Sequence, residues 1–158
     1  MSALKINNLN HKINNSEILK DVSIETEEDK IACILGPSGS GKTTLLKLIA
    51  GLEYTQKGEI YIKDKLVSSS NTHIKTEERD IGFLFQDFAL FPHLTVKENL
   101  KFAINGNADA NIEINEIMKL IKLPNSLKKY PHELSGGEQQ RVALARSIIS
   151  KPKLLLLD

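Results

Sequence analysis

The stretch GPSGSGKTT, Gly36 to Thr44, decides how this sequence of 158 residues is interpreted. It directly follows the apolar run KIACIL, Lys30 to Leu35, which has the composition of a buried parallel strand. It directly precedes TTLLKLIAG, which has helical character and ends with Gly51 at a helix-stopping position. A strand, a glycine-rich turn and a helix in this order predict a parallel βαβ core and therefore an α/β fold.

The residue types in this turn suit a phosphate-bearing ligand. Its glycines allow backbone conformations in which successive N–H groups point inward at an anion. The helix that follows adds the positive end of its dipole, Lys42 a flexible cation, and Thr43 a hydroxyl for Mg²⁺. The pattern predicts a site for a nucleoside triphosphate or diphosphate with magnesium; the alternative is a glycine-rich turn that happens to precede a helix. The predicted nucleotide-binding residues are Gly36, Pro37, Ser38, Gly39, Ser40, Gly41, Lys42, Thr43 and Thr44.

The composition argues against several classes of protein. Lysine and arginine total 21 and aspartate and glutamate 20, a net charge of +1, and no basic run marks a nucleic-acid partner. No apolar stretch approaches the roughly 18 residues that span a bilayer, and MSALKINN is too polar for a signal peptide, so we expect a cytosolic chain. The single Cys33 cannot form an internal disulfide, and we expect it to be a small buried hydrophobe.

The remaining segments alternate between strand and helix patterns. Strand candidates are LKINNL, ILKDVSIE, GEIYIKD and IGFLF, while VSSSNTHIKTEERD is a polar loop or linker. TVKENLKFAI opens with Thr95 and Glu98 at capping-box spacing, which predicts a helix start. A helical insert is predicted from about Phe88 to Leu134. One predicted helix in this insert places four apolar residues on one face before Pro124 ends it: Ile114, Ile117, Met118 and Ile121.

A second candidate anion site lies in LSGGEQQRVALARSI, Leu134 to Ile148. Ser135 and Glu138 have capping-box spacing, and the two glycines between them leave the first-turn N–H groups uncovered by side chains. The alternative is a well-capped surface helix with VALARSII as its buried face.

Together these motifs resemble the ATP-binding cassette family. LSGGE resembles its signature motif, Gln86 in IGFLFQDF stands where the family has its Q-loop glutamine, and LLLLD resembles its Walker B strand. The motifs cover nearly the whole chain in the family's order. The resemblance implies a P-loop NTPase (RecA-like) core, residues 1–87 and 139–158, with an N-terminal antiparallel β subdomain. A helical subdomain would be inserted at 88–138, and the C-terminal part of the domain would be missing.

The resemblance also assigns roles to residues. Thr43, Gln86 and Asp158 would serve the magnesium ion, Asp158 as the Walker B carboxylate at the end of its strand. The family usually places a water-activating glutamate next, and this chain lacks it, so we expect the chain alone to be inactive. An aromatic residue that stacks on adenine aligns with Ile13, for which ordinary packing is the alternative, and His11 lies nearby as a substitute. The signature residues would contact ATP of a second cassette packed head to tail: Leu134, Ser135, Gly136, Gly137 and Glu138.

The resemblance implies an ATPase subunit that powers solute import together with integral membrane permease subunits. It would lie in the cytoplasm on the inner face of the cytoplasmic membrane, with ATP and Mg²⁺ as cofactors and no nucleic acid partner. The segment from Lys75 to Phe102 is similar to importer cassettes for ferric iron, sulfate, polyamines, molybdate or sugars. The apolar stretch Phe83 to Phe91 would receive a permease helix or belong to the helical core. Two alternatives stay open: a soluble cassette ATPase acting on DNA, ribosomes or metal-cluster assembly, and a fragment that only binds nucleotide.

Overall fold

The computed structural model describes residues 2–104 and 110–158. The chain divides into two compact units, one running to Ile81 and including Asp158, the other running from Gly82 to Leu157. The strands are β1 (Ser2–Ile13), β2 (Ser16–Glu27), β3 (Lys57–Ile62), β4 (Lys65–Ser68), β5 (Ile81–Leu84) and β6 (Leu154–Leu157). The α-helices are α1 (Lys42–Ala50), α2 (Val96–Ala103), α3 (Ala110–Leu120) and α4 (Gly136–Ile148), with short 3₁₀ turns at Thr76–Glu78 and Pro131–Glu133.

The first unit contains a four-stranded antiparallel sheet in the order β2-β1-β3-β4. Two-residue turns join β1 to β2 and β3 to β4, and the residues in both turns have positive φ, as tight hairpin turns require. In the centre of the sheet, Ile6 lies opposite Ile24 on one side and Ile60 on the other, and both Ile6 and Ile60 are buried. The sheet is the predicted N-terminal antiparallel β subdomain.

Helix α1 ends where the sequence predicts, and a distant arginine completes that end. Gly51 has φ 78°, and its N–H donates to the Leu48 carbonyl. The buried Arg79 guanidinium donates to the carbonyls of Leu48 at 3.0 Å and Ile49 at 2.8 Å, and burial lowers its pKa to about 10. These bonds add a donor to carbonyls at the helix end, where the regular pattern of intrahelical hydrogen bonds stops. The prediction of a polar loop over residues 67–80 is therefore wrong at both ends, because it missed the end of β4 and this buried cation.

The apolar run before the phosphate loop is not a strand, and the prediction of a buried strand there is wrong. Residues 30–35 form no regular structure; Ile31 is 96% exposed and Leu35 is 91% exposed. Cys33 is also exposed, which corrects its prediction as a buried hydrophobe. The physical reason is pairing: a strand needs a hydrogen-bonded neighbour, and no strand of the described chain pairs with this run.

The second unit packs helices α2, α3 and α4 around one apolar cluster. The predicted face of α3 and the turn after it is confirmed, since Ile114, Met118 and Ile121 are buried and Ile117 packs against the cluster. The cluster consists of Val96, Leu100, Ile104, Ile114, Met118, Ile121, Leu123, Leu134, Val142, Ala145 and Ile149. The partition into 1–87 with 139–158 and 88–138 stays a prediction.

Strand β6, the four leucines before Asp158, pairs with β5, so the predicted strand is confirmed for residues 154–157. Gly82 of β5 lies so close to the end of α4 that a Cβ there would collide with the Ser147 carbonyl. Of the four leucines in β6 only Leu156 is buried, and Leu157 is 55% exposed. Across residues 2–104 and 110–158, no helix is long and apolar enough to cross a membrane.

Candidate functional site

The loop from Gly36 to Gly41 folds around the side chain of Lys42. The Lys42 ammonium donates to the carbonyls of Gly36 at 2.9 Å and Pro37 at 2.7 Å, and it lies 3.4 Å from the Ser40 hydroxyl. The loop itself is exposed to solvent. An exposed ring of backbone around a flexible cation is able to receive the outer phosphates of a nucleotide.

The start of helix α1 is open to an anion. Its N-cap is Gly41, with φ 90° and no side-chain cap, and its first turn contains no acidic residue. A Cβ at position 41 would meet the side chains of Ile18 and Leu19 at 2.9 and 3.0 Å, so glycine is required by space as well as by φ. The helix N–H groups and the positive end of the helix dipole therefore face the loop without a competing carboxylate.

Asp158, the predicted Walker B carboxylate, lies beside Thr43. The Thr43 hydroxyl donates to the Asp158 carboxylate at 2.7 Å, a contact between residues 115 apart in the chain. A hydroxyl and a carboxylate are hard oxygen ligands, and Mg²⁺ usually takes one or two such protein ligands together with phosphate oxygens and water. The residues present therefore fit a magnesium ion bound with a nucleotide. Within the described chain, no three His, Cys, Asp or Glu residues form a separate metal cluster.

The predicted signature residues lie at the start of helix α4 in the second unit. Ser135 and Glu138 form the predicted capping box: the Glu138 carboxylate accepts from the Ser135 N–H at 2.8 Å and from its hydroxyl at 2.7 Å. These hydrogen bonds lower the pKa of Glu138. A Cβ at Gly136 would meet no atom within 4 Å, so this helix start is open. Leu134 differs from the others because its side chain is buried in the apolar cluster.

Gln86 lies in an exposed turn directly after β5. The turn is closed by a hydrogen bond from the Phe88 N–H to the Phe85 carbonyl at 2.9 Å. Phe88 and Ala89, which follow, both have positive φ, 65° and 45°. Such φ values are unfavourable for residues other than glycine, so contacts with other parts of the unit must stabilise this loop.

Two side chains that the sequence reasoning missed hold that loop. Arg146 of α4 donates to the carbonyls of Ala89 at 2.8 Å and Phe88 at 3.1 Å, and burial lowers its pKa. The fully buried Asn99 of α2 accepts from the Phe91 N–H at 2.9 Å and donates to three carbonyls. The sequence signal that could have identified them is a polar residue within a helix pattern: Arg146 in ALARSI and Asn99 in ENLKF.

The two adenine-stacking candidates differ in access. His11 is buried, and its Nε2 lies 3.4 Å from a Glu53 carboxylate oxygen. Ile13 is 40% exposed. A base can stack only on a side chain that solvent reaches, so access favours Ile13.

The predicted site residues are divided between the chain's two units. Lys42, Thr43 and Asp158 lie in the first unit, where the Thr43 hydroxyl donates to the Asp158 carboxylate. Gln86 and the signature residues lie in the second unit.

Comparison with known proteins gives consistent results. The sequence profile described as "ABC transporter" matches residues 19–158. The chain is 42% identical to "Fe(3+) ions import ATP-binding protein FbpC" of Haemophilus influenzae, over 98% of this chain and 45% of that protein. It is also 42% identical to "Sulfate/thiosulfate import ATP-binding protein CysA" of Synechocystis, over 97% of this chain and 43% of that protein. The chain thus spans less than half the length of these curated relatives.

Two solved structures share the fold. The post-hydrolysis dimer of the ATP-binding cassette MJ0796 bound to ADP and Pi has a TM-score of 0.83 and 33% identity, covering 98% of this chain and 73% of that one. The structure of cbiO1 from Clostridium perfringens, part of the ABC transporter complex cbiONQ, has a TM-score of 0.84 and 28% identity, covering 99% and 65%. The predicted cassette fold, with its antiparallel β subdomain and helices, is therefore confirmed.

Proposed function

Because this chain belongs to the ABC transporter family, we propose that it is the nucleotide-binding part of an ATPase subunit that powers solute import. The observation that carries the proposal is the pairing of a phosphate loop folded around Lys42 with the hydrogen bond from Thr43 to Asp158. The names of the relatives, two import ATP-binding proteins, support transport as the use of the ATP.

The site residues of the first unit have distinct tasks in this proposal. The loop N–H groups and Lys42 bind the outer phosphates, and Thr43 and Asp158 hold Mg²⁺ or its water shell. Magnesium supplies positive charge that offsets the charge of the phosphate oxygens. Ile13 offers a side chain for the adenine base, and its exposure supports this choice over His11.

The second unit serves a partner's nucleotide. We propose that Ser135 and Gly137 at the open start of α4 contact the γ-phosphate held by a second cassette packed head to tail. The proposal is supported by the uncovered glycines and by the dimeric MJ0796 structure. Gln86 would contact the magnesium site. Permease subunits in the cytoplasmic membrane would contact the Phe83–Phe91 stretch. The working position is then the cytoplasmic face of that membrane.

Turnover needs a water-activating group that these residues do not supply. In the family this is a glutamate directly after the Walker B aspartate. We therefore expect the 158 residues to bind nucleotide without hydrolysing it. Phosphate release should be measured on this chain and on the same chain fused to the C-terminal part of an importer relative. Lys42-dependent phosphate release by the 158 residues alone would contradict this expectation.

The central test of the proposal is nucleotide affinity. We expect Lys42→Ala to weaken Mg²⁺-ATP binding by at least about tenfold, because the triphosphate loses a charge-assisted partner. Lys47→Ala in the last turn of the same helix is the matched control and should bind normally. Equal affinity of the two variants in a nucleotide titration would refute the phosphate-loop assignment.

A separate test addresses the shared site. We expect Ser135→Arg to leave nucleotide binding by the monomer unchanged and to block ATP-driven dimerisation of the fused chain, since the bulky side chain fills the open helix start. Gln140→Arg, exposed on the same helix, controls for the added charge. Dimerisation of Ser135→Arg on ATP, measured by sedimentation or light scattering, would refute the head-to-tail assignment.

A further inference from the structure

The loop that follows Gln86 has a conformation that its own residues disfavour. Phe88 and Ala89 are consecutive, neither is glycine, and both have left-handed φ values of 65° and 45°. An isolated chain would leave this conformation, because the Cβ of an ordinary residue crowds the backbone there. Contacts from elsewhere in the unit must therefore stabilise it.

The guanidinium of Arg146 contacts both of these residues. One nitrogen donates to the Ala89 carbonyl at 2.8 Å and the other to the Phe88 carbonyl at 3.1 Å. The same guanidinium lies 5.4 Å from the centre of the Phe91 ring, within range of a cation–π interaction. Arginine suits this task because its planar fork reaches two acceptors at once, which a lysine ammonium does not reproduce.

A second side chain fixes the far end of the loop. Asn99, fully buried in α2, accepts from the Phe91 N–H at 2.9 Å and donates to the Phe91 and Leu94 carbonyls, both at 3.1 Å. The segment from Phe85 to Phe91 is thereby held by α2 at one end and by α4 in the middle. Gln86 lies between the end of β5 at Leu84 and the first Arg146 contact at Phe88.

We propose that Arg146 is the positioning residue of the Gln86 loop: its bidentate contact with the Phe88 and Ala89 carbonyls fixes the left-handed turn and so sets where Gln86 lies. Helix α4 begins at the predicted signature residues and carries Arg146 in its last turn. The catalytic use of Gln86 rests on the proposed function, whereas the placement of the loop by Arg146 does not.

The test is amide hydrogen exchange, measured by NMR without nucleotide, so that it is independent of ATP binding. The reporters are the Phe88 and Phe91 amides, and the Leu123 amide, bonded to the Met118 carbonyl, reports on the apolar cluster. We expect Arg146→Met to raise exchange at Phe88 and Phe91 by about tenfold or more, because hydrogen bonds to a charged donor are lost, with little change at Leu123. Gln140→Met, exposed on the same helix, should change none of the three.

Rescue separates positioning from general stability. Adding Ala89→Gly to Arg146→Met removes the cost of the left-handed φ at one of the two residues, so exchange at Phe88 should return toward the wild-type rate. Arg146→Lys, which keeps the charge and one hydrogen bond, should lie between wild type and Arg146→Met. Unchanged exchange at Phe88 in Arg146→Met, or an equal rise at Leu123 that Ala89→Gly does not reduce, would overturn the proposal.

Discussion

Two apolar runs, IACIL at residues 31–35 and LLLL at residues 154–157, have similar compositions and different structures. The leucine run is strand β6, paired with β5, and its Leu156 is 5% exposed. The isoleucine run has no paired neighbour among the described strands, and Ile31 is 96% exposed. The difference teaches that an apolar run encodes a tendency to be buried, whereas a hydrogen-bonded neighbour decides whether it becomes a strand.

The largest difference between the two runs should appear on truncation to alanine. We expect Leu156→Ala to lower the free energy of unfolding by about 2–4 kcal/mol, because a buried side chain leaves a cavity. Ile31→Ala should change it by less than about 0.5 kcal/mol, since an exposed side chain loses almost no contacts. Urea unfolding of the two variants and wild type measures both values. Similar losses in the two variants would show that residues 31–35 are covered in solution.

The pairing of β6 with β5 can be disturbed by a substitution in β5. Gly82→Ala places a methyl group against the Ser147 carbonyl, so β5 must move away from the end of α4. We expect a loss of about 1–3 kcal/mol in unfolding free energy, as for other overpacked sites. Gly136→Ala, which meets no atom within 4 Å, tests the addition of a methyl group in open space. A neutral Gly82→Ala would contradict the close packing of β5 on α4.

The next effect concerns pH: protonation of His73 should make the free energy of unfolding depend on pH. Burial, and secondarily the charge of Arg79, lower the pKa of His73 below its usual 6.5, while a hydrogen bond to the Gly51 backbone opposes the shift. Because the folded-state pKa is lowered, the stabilisation is complete above pH 6.5 and is lost as the pH falls through the folded-state pKa. We expect unfolding free energy to decline below pH 6.5 more steeply in wild type than in His73→Gln. Parallel pH profiles of the two proteins would refute this.

The smallest effect on stability, and the most direct test of exposure, comes from Cys33. Its thiol lies in the uncovered run and is solvent-exposed. We expect a thiol reagent to modify Cys33 in the folded protein about as fast as in urea. This modification should change the free energy of unfolding by less than about 0.5 kcal/mol. The Cys33→Ser variant supplies the unreactive baseline. Strong protection of the thiol in the folded state would show that residues 30–35 are buried.

Local features of the site follow from the sequence because their partners are close in the chain. The capping boxes of Thr95 with Glu98 and Ser135 with Glu138 each join residues three apart, and both form as predicted. Gly51 ends α1 through its own backbone conformation. The place of Asp158 beside Thr43 required the family resemblance, since spacing within the chain does not bring residues 115 apart together.

What the sequence by itself determined is therefore the set of short-range devices: the glycine-rich loop before α1, the helix starts and stops, and the apolar face of α3. What only the tertiary structure decided is which distant groups meet. Arg79 completes the end of α1 from about thirty residues away, and Arg146 fixes Phe88 across 58 residues. The physical reason is that the partners of a charged side chain or of an unpaired strand are set by packing between elements. Composition and spacing within one element do not contain that information.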